Sequence, residues 1–178
     1  MYIELLAKQG KASLREGLAS IEPSKLIQLR KEQMRSCFMS SVDMGNRFGS
    51  TVKIHGTEYI NDAMSSSPNA TWYSLEMMRK PVIWITHANT SNESLTSLMS
   101  VVSEKVNVLI CVGDNVENVA RVFEGIVPKI VSTQTIEDAV NYAYHIADED
   151  KNVLYSPACE LENNEVSGFD FRKYVNEL

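Results

Sequence analysis

The sequence predicts an α/β domain with a mostly parallel sheet, and two observations support this fold class. From Pro81 onward, short runs of β-branched residues alternate with longer helical stretches, which is typical of a parallel sheet covered by helices. The chain has 178 residues, 44% of them hydrophobic, which is enough for one domain with a core of its own.

The strands are predicted from short apolar runs bounded by turn residues. Residues 52–60 are predicted to form a tight hairpin or a bent strand, because two alternating runs meet at Gly56. The parallel strands are predicted at 81–86, 106–112, 127–131 and 152–156.

The helices are predicted from apolar residues at spacings of three and four. They fall at 69–79, 91–104, 115–124, 135–147 and 169–178. The fourth opens with Thr135 and Asp138, which have the spacing of a capping box. Together these elements predict a Rossmann-like sheet with helices on both faces.

The chain is expected to divide into a helical N-terminal segment, 1–45, and an α/β domain, 46–178. Residues 24–38 are predicted to form an amphipathic helix, and its apolar face must be covered by another part of this chain or by another molecule. Packing within the chain and packing on a protein partner or a second copy both remain open.

Composition excludes several classes of function. A net charge of -6 without a long basic run argues against binding nucleic acid. The longest apolar runs are far shorter than the roughly 20 residues of a membrane span. The N-terminus has no basic region or cleavage site of a secretory signal, so we expect a cytoplasmic protein.

The three cysteines, Cys37, Cys111 and Cys159, are widely spaced and lack metal-ligand spacing. They predict reduced thiols, with neither a disulfide framework nor a metal site. Cys111 lies in an apolar strand pattern and is interpreted as a small core residue, with a nucleophilic role as the alternative.

Three segments carry a resemblance to a known family. Residues 60–76 (INDAMSSSPNATWYSLE) resemble an IND-SKATN segment followed by an NATxxALE helix, residues 80–85 resemble the strand after it, and residues 153–159 (VLYSPAC) resemble a VLLSPACASFD strand and turn. These motifs are similar to those in the C-terminal domain of bacterial Mur ligases, the type that adds D-glutamate to peptidoglycan precursors in cell-wall synthesis. The resemblance extends over most of the chain.

The resemblance implies a nucleotide site. In this family an arginine and the aspartate of the IND motif clamp the ribose of ATP, and these match Arg47 and Asp62, with Asn61 beside them. ATP or ADP is therefore the only cofactor that the resemblance implies. The alternative is structural: a salt bridge between Arg47 and Asp62, or an aspartate that caps a turn.

Other family positions are changed. The lysine of SKATN is Met64, the lysine that meets D-glutamate is Thr90, and the segment that holds D-glutamate reads 160–164 (ELENN). The sequence contains no GxxxxGK[ST] phosphate loop. The 178 residues alone are therefore expected to lack ligase activity.

The remaining candidate residues occupy the substrate loops of the family. They are His87, Asn89 and Ser156. His87 is interpreted as a solvated loop histidine, with a base or ligand as the alternative. Ser156 lacks a GxSxG elbow and is assigned no nucleophilic role, and the chain is assigned no catalytic residue.

Three functions are compatible with these patterns. The first is a non-catalytic Mur-ligase-like domain that serves as a binding or assembly module. The second is the C-terminal fragment of a divergent ATP-dependent UDP-N-acetylmuramoyl-L-alanine:D-glutamate ligase that needs separate N-terminal and central domains. The third is a homo-oligomer formed through the N-terminal helices.

Overall fold

A computed structural model of the chain describes residues 50–88, 95–114 and 116–178. The strands are β1 (Ser50–Ile54), β2 (Thr57–Asn61), β3 (Val82–His87), β4 (Val106–Val112), β5 (Lys129–Thr133) and β6 (Asn152–Tyr155). The helices are α1 (Pro68–Met77), α2 (Met99–Lys105), α3 (Val116–Phe123), α4 (Ile136–Ile146) and α5 (Asn164–Asn176), and a 3-10 turn (Thr96–Leu98) leads into α2. No helix within these ranges has the length and apolar character needed to cross a bilayer.

The six strands form one sheet in the order β1-β2-β6-β3-β4-β5. β1 and β2 pair antiparallel, whereas all other neighbours are parallel. The last strand in the described part of the chain, β6, lies between β2 and β3. The predicted α/β class with a mostly parallel sheet is therefore confirmed.

A two-residue turn joins β1 to β2. His55 and Gly56 both have positive φ, 47° and 87°, as a type I′ hairpin turn requires. A Cβ on Gly56 would lie 2.7 Å from the Cβ of Glu149, so the turn needs glycine for its space as well as for its conformation. Of the two predicted alternatives, the tight hairpin is the one observed.

Helices bury apolar side chains on both faces of the sheet. On one face, α1, α2 and α3 pack over a core centred on Trp84, whose ring meets Phe123 edge to face at 5.8 Å. On the other face, α4 and α5 pack over Ile83, Ile85 and Tyr155. The central strands are apolar on both sides because both sides are covered.

Two differences between predicted and observed boundaries are explained by local contacts. β5 begins at Lys129 rather than at residue 127, because Val127 still belongs to the turn that ends α3, where its amide donates to the carbonyl of Phe123. α5 begins at Asn164 rather than at residue 169, because the Asn163 side chain caps it by accepting from the amides of Glu165 and Val166.

The predicted cap of α4 is present. The amide of Asp138 donates to Thr135 Oγ1 at 3.0 Å, and that hydroxyl donates to the Asp138 carboxylate at 2.7 Å. The return contact therefore uses the threonine hydroxyl rather than its backbone amide. The predicted N-terminal helical segment, 1–45, and residues 91–94 of the predicted second helix lie outside the described residues.

α5 approaches the end of β2 closely at Gly168. A Cβ on this glycine would lie 2.8 Å from the Cβ of Ala63 and 3.3 Å from the side-chain oxygen of Asn61. The side-chain nitrogen of Asn61 also donates to the Gly168 carbonyl at 2.8 Å. This contact limits how closely α5 can approach the end of β2.

We expect Gly168→Ala to lower the free energy of unfolding by about 1–3 kcal/mol, the usual cost of overpacking. Helix propensity alone would predict a gain of about 1 kcal/mol for the same change. Urea denaturation of Gly168→Ala and of the double variant Ala63→Gly/Gly168→Ala measures the effect. The double variant should recover part of the loss, and a stabilised single variant would contradict the close packing.

Candidate functional site

The strand order predicts a crevice at the carboxyl ends of the three strands β2, β6 and β3. β2 and β3 lead into α1 and α2 on one face of the sheet, whereas β6 between them leads into α5 on the other face. Adjacent strands whose connections leave toward opposite faces mark the switch point where open α/β sheets bind ligands. The crevice is therefore the candidate site.

Four of the six sequence-predicted site residues lie at this crevice. Asn61 and His87 end β2 and β3, Asp62 follows β2, and Ser156 follows β6. The register aligns Asn61 and Ile85 with Tyr155, so these strand ends lie side by side. Arg47 and Asn89, the remaining two, lie outside the described residues.

The carboxylate of Asp62 is enclosed by hydroxyl groups. The residue is 2% exposed, and its Oδ2 accepts from the hydroxyls of Ser65, Ser74 and Ser156, the last at 3.2 Å. Three hydrogen bonds to one carboxylate oxygen tie α1 and the turn after β6 to the start of the loop after β2. One of these bonds, from Ser65, lies within the loop that Asp62 begins.

Ser156 joins two elements of the core. Its Oγ lies 2.7 Å from Thr71 Oγ1 on α1, and its carbonyl accepts from the indole nitrogen of Trp84 at 2.9 Å. The residue is fully buried. These contacts give Ser156 a positioning role and agree with the absence of a nucleophile assignment.

Asn61 holds α5 against the sheet. Besides its bond to Gly168, its side-chain oxygen accepts from the amide of Ala63 at 3.2 Å. Both ends of the side-chain amide are thus engaged inside the domain. Asn164, the first residue of α5, makes a second link by donating to the Ala63 carbonyl at 2.7 Å.

The interpretation of His87 as a solvated loop histidine was wrong. His87 is the last residue of β3 and is partly buried, and its Nε2 lies 2.9 Å from the hydroxyl of Tyr155. Tyr155 in turn hydrogen-bonds to Ser167 on α5 and stacks on Phe171 at 5.0 Å. The histidine packs inward because position 87 falls on the strand face that α5 covers.

Burial determines the protonation states of His87 and Tyr155. It lowers the pKa of His87 from 6.5 to about 4, because a charged imidazole loses hydration there. It also raises the pKa of Tyr155 above its usual range. At neutral pH both rings are therefore uncharged, and the hydrogen bond between His87 and Tyr155 joins two neutral groups.

The turn after Ser156 has an unusual backbone. Ala158 adopts a φ of 60°, the left-handed region that non-glycine residues rarely occupy. The preceding carbonyl, that of Pro157, accepts from Thr86 Oγ1 at 2.9 Å and from the amide of His87 at 3.4 Å. These two bonds from β3 hold the turn in place.

Cys111 lies in β4. Cys111 is fully buried, and burial raises the pKa of its thiol to about 12, so it stays protonated as a core residue rather than a nucleophile. Within the described ranges, no group of three or more His, Cys, Asp or Glu side chains could hold a metal ion.

Sequence reasoning missed four residues that shape the site, namely Thr71, Ser74, Tyr155 and Ser167. Thr71 and Ser74 are fully buried on α1, and their spacing of three places them on one helix face beside Leu75. Small hydroxyl residues among buried apolar ones were therefore an available signal. Tyr155 and Ser167 had none, because their pairing depends on how α5 returns to the sheet.

Sequence comparison finds relatives along nearly the whole chain. A UDP-N-acetylmuramoylalanine–D-glutamate ligase of Christiangramia forsetii is 34% identical over 177 residues, covering 97% of this chain and 40% of that protein. The ligase of the same name from Porphyromonas gingivalis is 31% identical over 179 residues, covering 98% of this chain and 40% of that protein. This chain thus spans about 40% of the length of these curated relatives. No protein-family model matches it.

Solved structures share the fold at low sequence identity. A domain of a UDP-N-acetylmuramate:L-alanyl-γ-D-glutamyl-diaminopimelate ligase from Haemophilus ducreyi has a TM-score of 0.51 at 10% identity, covering 72% of this chain and 97% of that one. A MurF ligase of Thermotoga maritima has a TM-score of 0.51 at 15% identity, covering 74% of this chain and 31% of that one.

Fold and relatives together define the class: the chain is a Mur ligase C-terminal-like domain. Within that class it is related to the UDP-N-acetylmuramoylalanine–D-glutamate ligases. The resemblance noted in the sequence is therefore confirmed.

We expect the depressed pKa of His87 to make stability depend on pH. Because the folded-state pKa is about 4 and the reference value 6.5, the unfolded chain binds more protons between these values. The free energy of unfolding is therefore highest above pH 6.5. It falls as the pH decreases toward 4, by up to about 3 kcal/mol.

Urea denaturation from about pH 7 to about pH 4 measures this slope in the wild type and in His87→Gln. The variant should lose the part of the slope that His87 contributes, because glutamine does not titrate. His145→Gln is the matched control, since it makes the same substitution at an exposed histidine on α4. Equal slopes in all three proteins would contradict the burial of a neutral His87.

Proposed function

We propose that these 178 residues act as a non-catalytic binding or assembly module built on the Mur ligase C-terminal scaffold. One observation carries the proposal: Asp62, which matches the ribose-binding aspartate of the family, is buried and engaged by serine hydroxyls from its own domain. These contacts support an internal, structural role for the residue. A cytoplasmic location is part of the proposal.

The changed substrate positions support the same conclusion. Met64, at the place of a family lysine, is 64% exposed, so an apolar group faces outward where the family presents a cation. Glu160 and Glu162, both exposed, follow the turn after β6 and would repel a dicarboxylate such as D-glutamate. A charge partner for the carboxylates of the substrate is replaced by groups that disfavour them.

We expect the purified chain to form no ADP from ATP in response to UDP-N-acetylmuramoyl-L-alanine and D-glutamate. The physical reason is that the sequence contains no phosphate loop to hold the β- and γ-phosphates. A coupled assay for ADP release, with each substrate omitted in turn, measures this. Turnover that requires both substrates would refute the proposal.

The alternative is a C-terminal fragment of a divergent ATP-dependent ligase that works with separate N-terminal and central domains. It is favoured by similarity that covers nearly the whole chain and about 40% of each relative. In that case Arg47 and Asp62, with Asn61, would retain nucleotide binding.

Titration calorimetry with ADP separates the two functions. The module predicts no saturable heat in the wild type. The fragment predicts saturable binding that Arg47→Ala weakens by about tenfold or more, the effect of losing a charge-assisted contact of about 1.4 kcal/mol. Arg79→Ala is the control, because Arg79 is an exposed arginine just beyond the end of α1.

A protein partner or a second copy engaged through residues 1–45 also remains a proposal. It rests on the amphipathic pattern of residues 24–38 alone. Light scattering of the full chain and of a chain without residues 1–40 would distinguish such an assembly from a monomer.

A further inference from the structure

A shallow groove runs between the loop after β2 and helix α5. Its volume is about 500 Å³. Apolar side chains and a few polar ones line it: Asn61, Ala63, Met64, Asn164, Glu165, Val166, Gly168, Phe169 and Arg172. We call this the α5 groove.

The α5 groove collects most of the exposed large apolar side chains of the described residues. Met64 is 64% exposed, Val166 53% and Phe169 61%. The remaining such residue is Met99 on α2, at 39%. Large apolar side chains gathered at one place, rather than scattered singly, are typical of an interaction surface.

Charges flank the apolar centre of the groove in a fixed order. Glu165 precedes Phe169 by four residues and Arg172 follows it by three, so all three side chains share one face of α5. Both charged residues are exposed. From the N-terminal to the C-terminal end of this face, the side chains are therefore acidic, then aromatic, then basic. The two charged residues lie about 10 Å apart along the helix axis.

We propose that the α5 groove binds a second copy of this chain, with the two α5 helices antiparallel across a two-fold axis. In that arrangement the acidic end of each helix face lies opposite the basic end of the other. The two copies of Phe169 meet beside the axis, because this residue lies near the midpoint of the charged pair. Each aromatic ring then covers the apolar floor of the opposite groove.

The charge order favours a second copy over other occupants. A two-fold interface must be self-complementary, and a face that is acidic at one end and basic at the other is complementary to itself only when antiparallel. An acidic or a basic ligand would be attracted by one of these charges and repelled by the other. The inference does not depend on nucleotide binding or on ligase activity.

A charge-reversal experiment on the full 178-residue chain tests the pairing. Glu165→Arg gives a face with two basic ends and Arg172→Glu gives one with two acidic ends. Each variant alone should repel its own copy, and its dimer dissociation constant should rise by about tenfold or more. An equimolar mixture of the two should dimerise, because every opposed pair is then complementary.

Matched controls reverse the same charges on another helix. Glu117 and Arg121 are exposed on α3, away from the groove. Glu117→Arg and Arg121→Glu should leave dimerisation unchanged. Analytical ultracentrifugation over a concentration series measures the dissociation constants, and circular dichroism confirms that each variant is folded.

The possible results divide cleanly. Dimers in the wild type, monomers in each groove variant and dimers in their mixture support the proposal. A wild-type monomer at all concentrations overturns it. A dimer that survives both groove reversals also overturns it, because another surface, such as residues 1–45, must then form the contact.

Discussion

The insertion of β6 between β2 and β3 is the constraint on which the rest of the structure depends. β6 pairs in parallel with both neighbours and is buried along its length. It sends the chain toward α5 on the face opposite to α1 and α2, which opens the crevice. It also delivers Tyr155 to one face of the sheet and Ser156 to the other, so each cluster at the crevice includes a residue contributed by this strand or the turn after it.

The two clusters have different chemistry because the two faces of the sheet are covered by different helices. On the α1 side, hydroxyl groups converge on the carboxylate of Asp62. On the α5 side, His87 and Tyr155 form a neutral hydrogen-bonded pair, and burial opposes the ionisation of both side chains. Neither cluster leaves its titratable group facing open solvent. The crevice therefore uses its polar groups to hold the loops and helices together, and this is consistent with a scaffold whose surface, rather than its interior, meets other molecules.

Much of this architecture could be predicted from the sequence, for physical reasons. Short continuous apolar runs identify the strands, because strands covered on both faces are apolar throughout. Spacings of three to four residues identify the helices, because each covering helix buries one face. The Thr135 cap and the Gly56 turn were predicted because local chemistry decides them. The start of α5 was missed because Asn163 caps it within a polar stretch that has no apolar period. His87 was misread because its burial is decided by α5, which lies about 80 residues further along the chain.

The position of β6 also has a kinetic consequence. Before residues 152–155 join the sheet, the β1–β2 hairpin and the β3–β4–β5 group have no direct strand pairing to each other. Each exposes an unsatisfied strand edge, which is a template for pairing with another chain. Contacts between residues about 70 to 95 positions apart must close that gap, and such long-range closure is slow. During synthesis, the sheet stays divided until residues 152–155 have left the ribosome, and the two open strand edges are available for pairing with other chains until then.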